Sequence, residues 1–543
     1  MKRFKLFLAM AALACAIGLT VKYGSTYQPV VEPVREIEEI WALEDAREES
    51  GEPLVTRLFC NGVPMAYDAE NNVFYGSLGL ENGAQWPEIK LTASDEAAIG
   101  LSLCFADDYG FDDCDMAIRE SYSYQIFAYT DTAYSYAEVV FTGLPLVNVT
   151  ADQTIEREDV PAQIEIALAA EGLQTNGRIH KRGGASILND KVGYKLEFTR
   201  TTDGKKKIYR EIPGMGTDSQ VILLPMNALD TTMMRDRLSW ALYARLTRRD
   251  EPFSARKTQY CELFLNGEYR GVYLMLEPFS VRQEVAKAGE ERLTTDSVYR
   301  TAVISLSHGR PCMEDPYSAA TGFELYYPMD GEPDFSPLAD YFALLGETDD
   351  AAFMRRAAQI IDLDSALRYD VVLQLFGLTD NVINNMYTWA QNSRGHTRYR
   401  FDFWDLDVSW GLKRDEIGEM HENWVFFPLV DRLLRADEEG GVRKRYGEIY
   451  REVREKAFDA ETVEALVGQY AHELNDSGAM ARNAERWETE NYAADGYELV
   501  AFAAERIALL DEPVRAISAG EKIDLRFLEK TNYDDKGTPL TEE

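Results

Sequence analysis

The sequence predicts an α+β protein, with a small β-sandwich-like N-terminal domain followed by a larger mixed domain whose C-terminal part is helical. Three observations predict it. Residues 54–150 carry short β-branched and aromatic runs broken by Asn-Gly and Glu-Asn-Asn turns, as strands joined by tight loops do. From Ala162 to about residue 280, alternating strand patterns enclose one helical stretch. From about Asp334 the apolar spacing turns helical, except for an aromatic and acidic block between Asp380 and Gly411. At 543 residues the chain exceeds one ordinary domain, and its 45% hydrophobic content supplies cores for two folded units plus a leader.

The first element is the leader, residues 1–24. Lys2, Arg3 and Lys5 precede an uncharged run from Leu6 to Val21, closed by Lys22. Cations followed by an apolar helix form an export signal, because the positive end stays cytoplasmic while the helix enters the membrane. Ala14-Cys15-Ala16 offers small residues for cleavage, so the segment reads as a signal peptide or as an uncleaved membrane anchor. Residues 25–53 form an acidic linker or stalk, rich in Glu and Pro. Residues 54–150 are the β-rich domain, 151–525 the larger domain, and 526–543 a polar tail.

Charge and cysteine content exclude several functions. Acids outnumber bases 93 to 57, for a net charge of −36, which is the wrong sign for a nucleic-acid binder. Such a surface favours basic partners. Of six cysteines one lies in the leader, and the other five (Cys60, Cys104, Cys114, Cys261 and Cys312) cannot all pair within one chain. Cys104 and Cys114 flank the acidic stretch ADDYGFDD and are spaced to close it as a disulfide. With no CxxC and only five His, a zinc site is not expected.

Within the larger domain, three blocks carry possible chemistry. Gly177 to Ser186, GRIHKRGGAS, is a glycine-rich basic turn between two strands. Glycines let backbone N–H groups approach an anion, and Arg182 adds charge, although a Gly-Gly pair by itself is only a hairpin turn. Lys191 and Lys195 follow, and their even spacing predicts one strand face from which either reaches a phosphate. Next come a helix over 230–247, capped by Asp-Thr-Thr, and a β-hairpin around Asn266-Gly267. Together these read as a small α+β lobe.

The second block is LTDNVINNMYTWA, residues 378–390, in which Asp380 precedes Asn385 by five. That spacing suits one Asp acting on a substrate hydroxyl while the Asn holds a divalent metal; alone, it equally suits a helix cap. The third is YRFDFWDLDVSWG, residues 399–411, where Asp402, Asp405 and Asp407 are embedded in an aromatic strand. Buried carboxylates need a partner, and oxygen ligands of this kind suit Mg²⁺, Mn²⁺ or Ca²⁺. On an extended strand Asp405 and Asp407 share a face.

These blocks, in this order, resemble the spore coat protein H (CotH) kinase family. The resemblance rests on RGGAS (182–186) with KVGYKLEF, GMGTDSQVILLPMNALDTTMMRDRLSWAL (214–242), ELFLNGEYRGVYLMLEPF (262–279), DNVINNMYTWA and FWDLDVSWG, and spans about residues 163–415. It implies an atypical two-lobed kinase-like fold that binds ATP with Mg²⁺ or Mn²⁺ and phosphorylates Ser or Thr of coat proteins. Asp380 would be the catalytic base, Asn385 and Asp405 metal ligands, and Asp407 a competitor of Asp405. Lys191 or Lys195 would neutralise phosphate, Arg182, Gly183 and Ser186 would line the nucleotide turn, and Glu277 would sit at the interlobe hinge. The family more often has Arg-Gly-Asn-Ser in the turn and paired Lys before the strand, where this chain has Gly184 and Val192.

The implied function is an exported protein Ser/Thr kinase acting on a basic, Ser/Lys-rich surface or coat protein. Two other functions compete with it. One is a non-catalytic surface or spore-coat assembly module, favoured by the scarcity of ATP outside cells. The other is a metal-dependent hydrolase using Asp405 and Asp407, which lacks a nearby His base.

Overall fold

The computed structural model describes residues 32–33, 37–80, 91–93, 100–104, 114–183, 185–201, 204–226, 230–246, 255–279, 296–301, 323–328, 334–393, 395–412, 424–425 and 427–520. The leader, the polar tail, the whole ADDYGFDD stretch, Cys312 and the side chain of Cys104 lie outside the described residues. The expected export leader and the Cys104–Cys114 pairing rest on those residues. Among the described residues no helix is long and apolar enough to cross a membrane. The fold is α+β, and the chain divides into two compact units, each built from non-contiguous segments.

Unit 1 comprises residues 1–226, 259–277 and 472–494. Its N-terminal part holds a mixed sheet, in which Ala133–Thr142 pairs antiparallel with Ser123–Tyr129 and parallel with Val73–Ser77. The period-two apolar pattern buries Tyr124, Ile126, Val139 and Phe141 with Leu58 and Phe74 in one core. Cys60 lies in the same core, where burial and the nearby Cys114 push its thiol up to about 12. Burial likewise raises the Cys261 thiol, so neither group is a reactive thiolate.

The rest of unit 1 is a closed seven-stranded barrel. Its strands are β1 (Leu146–Thr150), β2 (Val160–Leu168), β3 (Glu171–Arg182), β4 (Gly193–Thr199), β5 (Gln220–Leu224), β6 (Thr258–Leu265) and β7 (Glu268–Leu276). They follow the order β1-β2-β3-β4-β5-β7-β6, and β6 closes onto β1 in parallel. The Asn266-Gly267 turn joins β6 to β7 as the sequence predicts, with both residues at positive φ (55° and 77°). Alternation fills the interior with Val149, Ile164, Tyr194, Leu196, Leu223 and Met275, so the barrel encloses a packed core. A second cluster, including Tyr75 and Val140 from the N-terminal sheet and Phe264 and Tyr269 from the barrel, joins these two parts.

Unit 2 comprises residues 227–258, 278–471 and 495–543. A four-stranded antiparallel sheet runs in the order β9-β8-β10-β11, from β8 (Ser297–Thr301), β9 (Phe323–Tyr327), β10 (Met386–Ser393) and β11 (His396–Phe403). The helices used below are α1 (Arg235–Ala244), α2 (Leu363–Phe376), α3 (Asp380–Ile383), α4 (Gly441–Lys456), α5 (Ala479–Trp487) and α6 (Tyr497–Ala519). Of these, α5 belongs to unit 1. The start of α2 is capped by Asp362, whose carboxylate accepts the Ser365 N–H, and Gly377 ends it at φ 65°.

Two local expectations need correction. The helix following Asp-Thr-Thr does not join the barrel strands that flank it in sequence; α1 folds into unit 2. Its buried residues include Leu238, Ser239, Trp240 and Leu242, and Ser239 accepts the Trp410 indole N–H within that unit. The acidic block is also not one strand. β11 ends at Phe403, and Asp405 takes a left-handed φ of 57°, so Asp405 and Asp407 do not alternate along an extended face.

Candidate active site

The second and third acidic blocks meet at one end of the unit 2 sheet. Pairing of Met386 with Phe403 aligns β10 and β11 so that the residues just before one and just after the other are neighbours. Asn385 stands at φ 56°, a conformation Asn tolerates better than most residues. Its N–H donates to the Thr301 carbonyl (3.2 Å), and its own carbonyl accepts from Trp404 N–H (3.0 Å). Asp405 therefore follows directly on a backbone tied to Asn385.

Asp380 opens α3 and is 4% exposed. The Asn385 Nδ2 donates to Asp380 Oδ2 at 2.7 Å. That bond orients the carboxylate. Asn381, fully buried, donates from Nδ2 to the Trp404 carbonyl at 2.7 Å, adding a second tie between α3 and the acidic segment. Asp380 and Asn385 are thus in direct contact, and Asp405 adjoins them through the backbone of Trp404.

The 404–411 segment is held by α1. Arg235 Nε donates to the Ser409 carbonyl (3.1 Å), Asp236 Oδ1 accepts the Leu406 N–H (3.0 Å), and Ser239 Oγ accepts Trp410 Nε1–H (2.9 Å). The buried Arg235 guanidinium also pairs with Asp230 and with Glu498 on α6 (2.6 Å). Trp410 adopts φ 53°, which costs a bulky residue roughly 1–2 kcal/mol. Stacking against Phe376 and Phe458, each at 5.3 Å between centroids, offsets that cost.

Asp402 is a different case. It is fully buried on β11, where Tyr243 donates to it at 3.1 Å and the buried Arg256 guanidinium lies at 3.5 Å. Its charge is compensated by a cation within the protein, so it has no need of a metal.

The remaining predicted residues lie in unit 1. Arg182 ends β3 at the mouth of the glycine-rich turn, half-buried. Gly183 sits at φ 130°, and a Cβ there would meet Ser186 Oγ at 2.4 Å, so glycine is required for the turn to close on that hydroxyl. Lys195 lies opposite His180 on the outer barrel face. Burial and the nearby Lys207 lower its pKa, and Arg182 is also within electrostatic reach. Glu277 is the last residue of the barrel segment assigned to unit 1, where the chain passes to unit 2 at Pro278.

Lys191 departs from the expected strand face. It precedes β4, and its Nζ donates to the Val272 carbonyl (2.6 Å) and to Asn483 Oδ1 (2.9 Å) on α5. The ammonium also stands 5.0 Å from the Tyr273 ring centroid and 5.9 Å from that of Trp487. Burial pushes its pKa down to about 7, while the two oxygens and two ring faces favour the cation. Lys191 thus clamps α5 to the barrel.

A family model described as CotH kinase protein matches residues 179–510. The chain belongs to the CotH kinase family. No curated protein matched the sequence. The span covered by the CotH family exceeds the resemblance read from motifs, running past Gly411 through α4, α5 and most of α6. These helices include α5, the partner of Lys191, and α6, which supplies Glu498.

For a divalent cation, this CotH chain offers oxygen donors. With Nδ2 committed to Asp380, Asn385 has Oδ1 left as an acceptor, and Asp405 follows Trp404, whose N–H is bonded to the Asn385 carbonyl. Among the described residues no three His, Cys, Asp or Glu side chains converge to hold a metal. Mg²⁺ needs no such cage, since it binds through one or two protein groups plus phosphate and water. The donor set fits a phosphate-bound cation and does not fit a protein-only metal centre. Sequence reasoning missed Arg235, Asp236 and Asn381. The signal was present in DTTMMRDRLSW, whose charges fall within an otherwise apolar helix.

Proposed function

We propose that this CotH family member is an exported atypical protein kinase, transferring the γ-phosphoryl group of ATP to Ser or Thr of surface or spore-coat proteins with Mg²⁺ or Mn²⁺. The observation that carries the reading is the direct Asp380–Asn385 contact with Asp405 tied in beside it. In this reading Asp380 accepts the proton of the substrate hydroxyl as its oxygen attacks phosphorus and the bond to the departing diphosphate breaks. Asn385 Oδ1 and Asp405, with Asp407 as the alternative carboxylate, hold the cation that neutralises phosphate charge. Arg182, Lys195 and the Gly183–Ser186 turn take the nucleotide phosphates, and Glu277 is the hinge. The leader directs export, and the net charge of −36 favours a basic, Ser/Lys-rich acceptor.

The test is transfer of labelled γ-phosphate from ATP by the full-length protein, with itself and a Ser/Lys-rich peptide as acceptors, beside Asp380→Ala and Asp405→Ala. Label on acceptors with the parent, and at least about 100-fold less with either variant, supports the kinase. A parent that transfers nothing and binds no ATP in the presence of Mg²⁺ or Mn²⁺ refutes it. A second reading, a non-catalytic assembly module, is favoured by one observation: the Lys191 ammonium is engaged by Val272 and Asn483.

A further inference from the structure

Three segments converge on the backbone between Trp404 and Gly411. From the first turns of α1 come Asp236, which accepts the Leu406 N–H, and Arg235, which donates to the Ser409 carbonyl. One turn on, Ser239 accepts the Trp410 indole N–H. From the end of α2 the Phe376 carbonyl accepts Trp410 N–H at 2.8 Å. From α6, Phe502 packs against Trp410, and a Cβ on Gly411 would come within 3.1 Å of it. Leu406 and Ser409 bracket Asp407, and Leu406 directly follows Asp405. The fixed points are thus adjacent to both carboxylates on the chain.

These bonds join the carboxylates to a helix distant in sequence. Asp236 and Arg235 are 4% and 3% exposed, so solvent does not compete for the bonds. A left-handed residue such as Asp405 keeps its conformation only when its neighbours over-determine it, and the N–H of the next residue is the group Asp236 holds. Releasing that N–H frees the peptide between Asp405 and Leu406 to rotate toward an ordinary conformation, which re-aims the Asp405 carboxylate.

We infer that Asp236, with Arg235 and Ser239, forms a positioning set: α1 fixes the 404–411 backbone so that Asp405 and Asp407 present their carboxylates to the divalent cation. The inference rests on the proposed metal role of Asp405. It predicts that a residue outside contact with substrate or cation controls metal affinity, by the 10–100-fold typical of groups that orient metal ligands.

The experiment measures Mn²⁺ affinity of the full-length protein by EPR, with a non-hydrolysable ATP analogue present, for the parent, Asp236→Ala, Asp236→Asn and Ser239→Ala. Asn keeps a side-chain oxygen for the Leu406 N–H, so Asp236→Asn is expected within about threefold of the parent, while Asp236→Ala weakens Mn²⁺ at least about tenfold. Ser239→Ala is expected to weaken it severalfold and stands in if Asp236→Ala fails to fold, as judged by its thermal melt. Equal affinity of Asp236→Ala and parent overturns the positioning role and leaves the kinase reading standing. Equal loss in Asp236→Asn and Asp236→Ala also overturns it, since the acceptor oxygen would then be irrelevant. A parent that takes up no Mn²⁺ refutes the metal site itself, and the inference falls with it.

Discussion

Asp370 makes the stability of unit 2 depend on pH in a direction opposite to most carboxylates. It lies on α2, 1% exposed, with Tyr446 of α4 donating to Oδ2 at 2.7 Å and Gln374 to Oδ1 at 3.3 Å. Burial pushes its pKa from 3.8 up to about 7, against the pull of those two hydrogen bonds. Between these values the unfolded chain has released the proton while the folded chain keeps it. Stability therefore falls as pH rises: the favourable contribution is complete below 3.8 and gone once the pH passes about 7. A pKa difference of about 3 corresponds to roughly 4 kcal/mol. Asp370→Asn removes the titration while keeping one oxygen for Gln374 and one N–H for the Tyr446 oxygen. Urea unfolding followed by Trp fluorescence at pH 4 to 8 is the assay, with the difference between variant and parent cancelling other titrating groups. The variant should match the parent near pH 4 and exceed it by up to roughly 4 kcal/mol at pH 8. A difference that stays flat across that range, or a variant less stable at pH 8, would refute the reasoning.

Three further outcomes follow from the packing. Asp402→Ala leaves Arg256 buried without its carboxylate and should cost about 3–5 kcal/mol, whereas the partly exposed Asp405→Ala should cost only about 1 kcal/mol, for placing Ala at a left-handed φ. Gly447→Ala places a Cβ 2.4 Å from Ser518 where α4 meets α6, and overpacking of about 1–3 kcal/mol should appear in the melt. Lys191→Met removes two donors from the Val272 and Asn483 oxygens, and should cost about 1–3 kcal/mol with faster hydrogen exchange in α5.

Much of the site is legible in the amino-acid order. Asp380, Asn385 and Asp405 stand out because carboxylates and amides in an aromatic setting need partners, and their convergence follows from the pairing of β10 with β11. The hairpin at Asn266-Gly267 and the α+β class are equally readable, since turn chemistry and apolar period act locally. Sequence could not tell which of these acids would be fully buried against a cation. Asp402 and Asp405 look alike in FDFWDLD, yet of the two it is Asp402 that lies beside Arg256, a residue distant in the chain.

Tertiary structure also decided where separate segments go. Residues 227–258 leave the barrel and residues 472–494 return to unit 1, because a helix packs where its apolar face fits rather than next to its sequence neighbours. Lys191 illustrates the consequence. By spacing it belonged on a strand face, and by geometry it is the clamp of α5. What the amino-acid order determined by itself was the local chemistry: strand and helix periods, turns, and which side chains needed a partner. Which partner each found depended on contacts between residues far apart in the chain, and no local pattern encodes those.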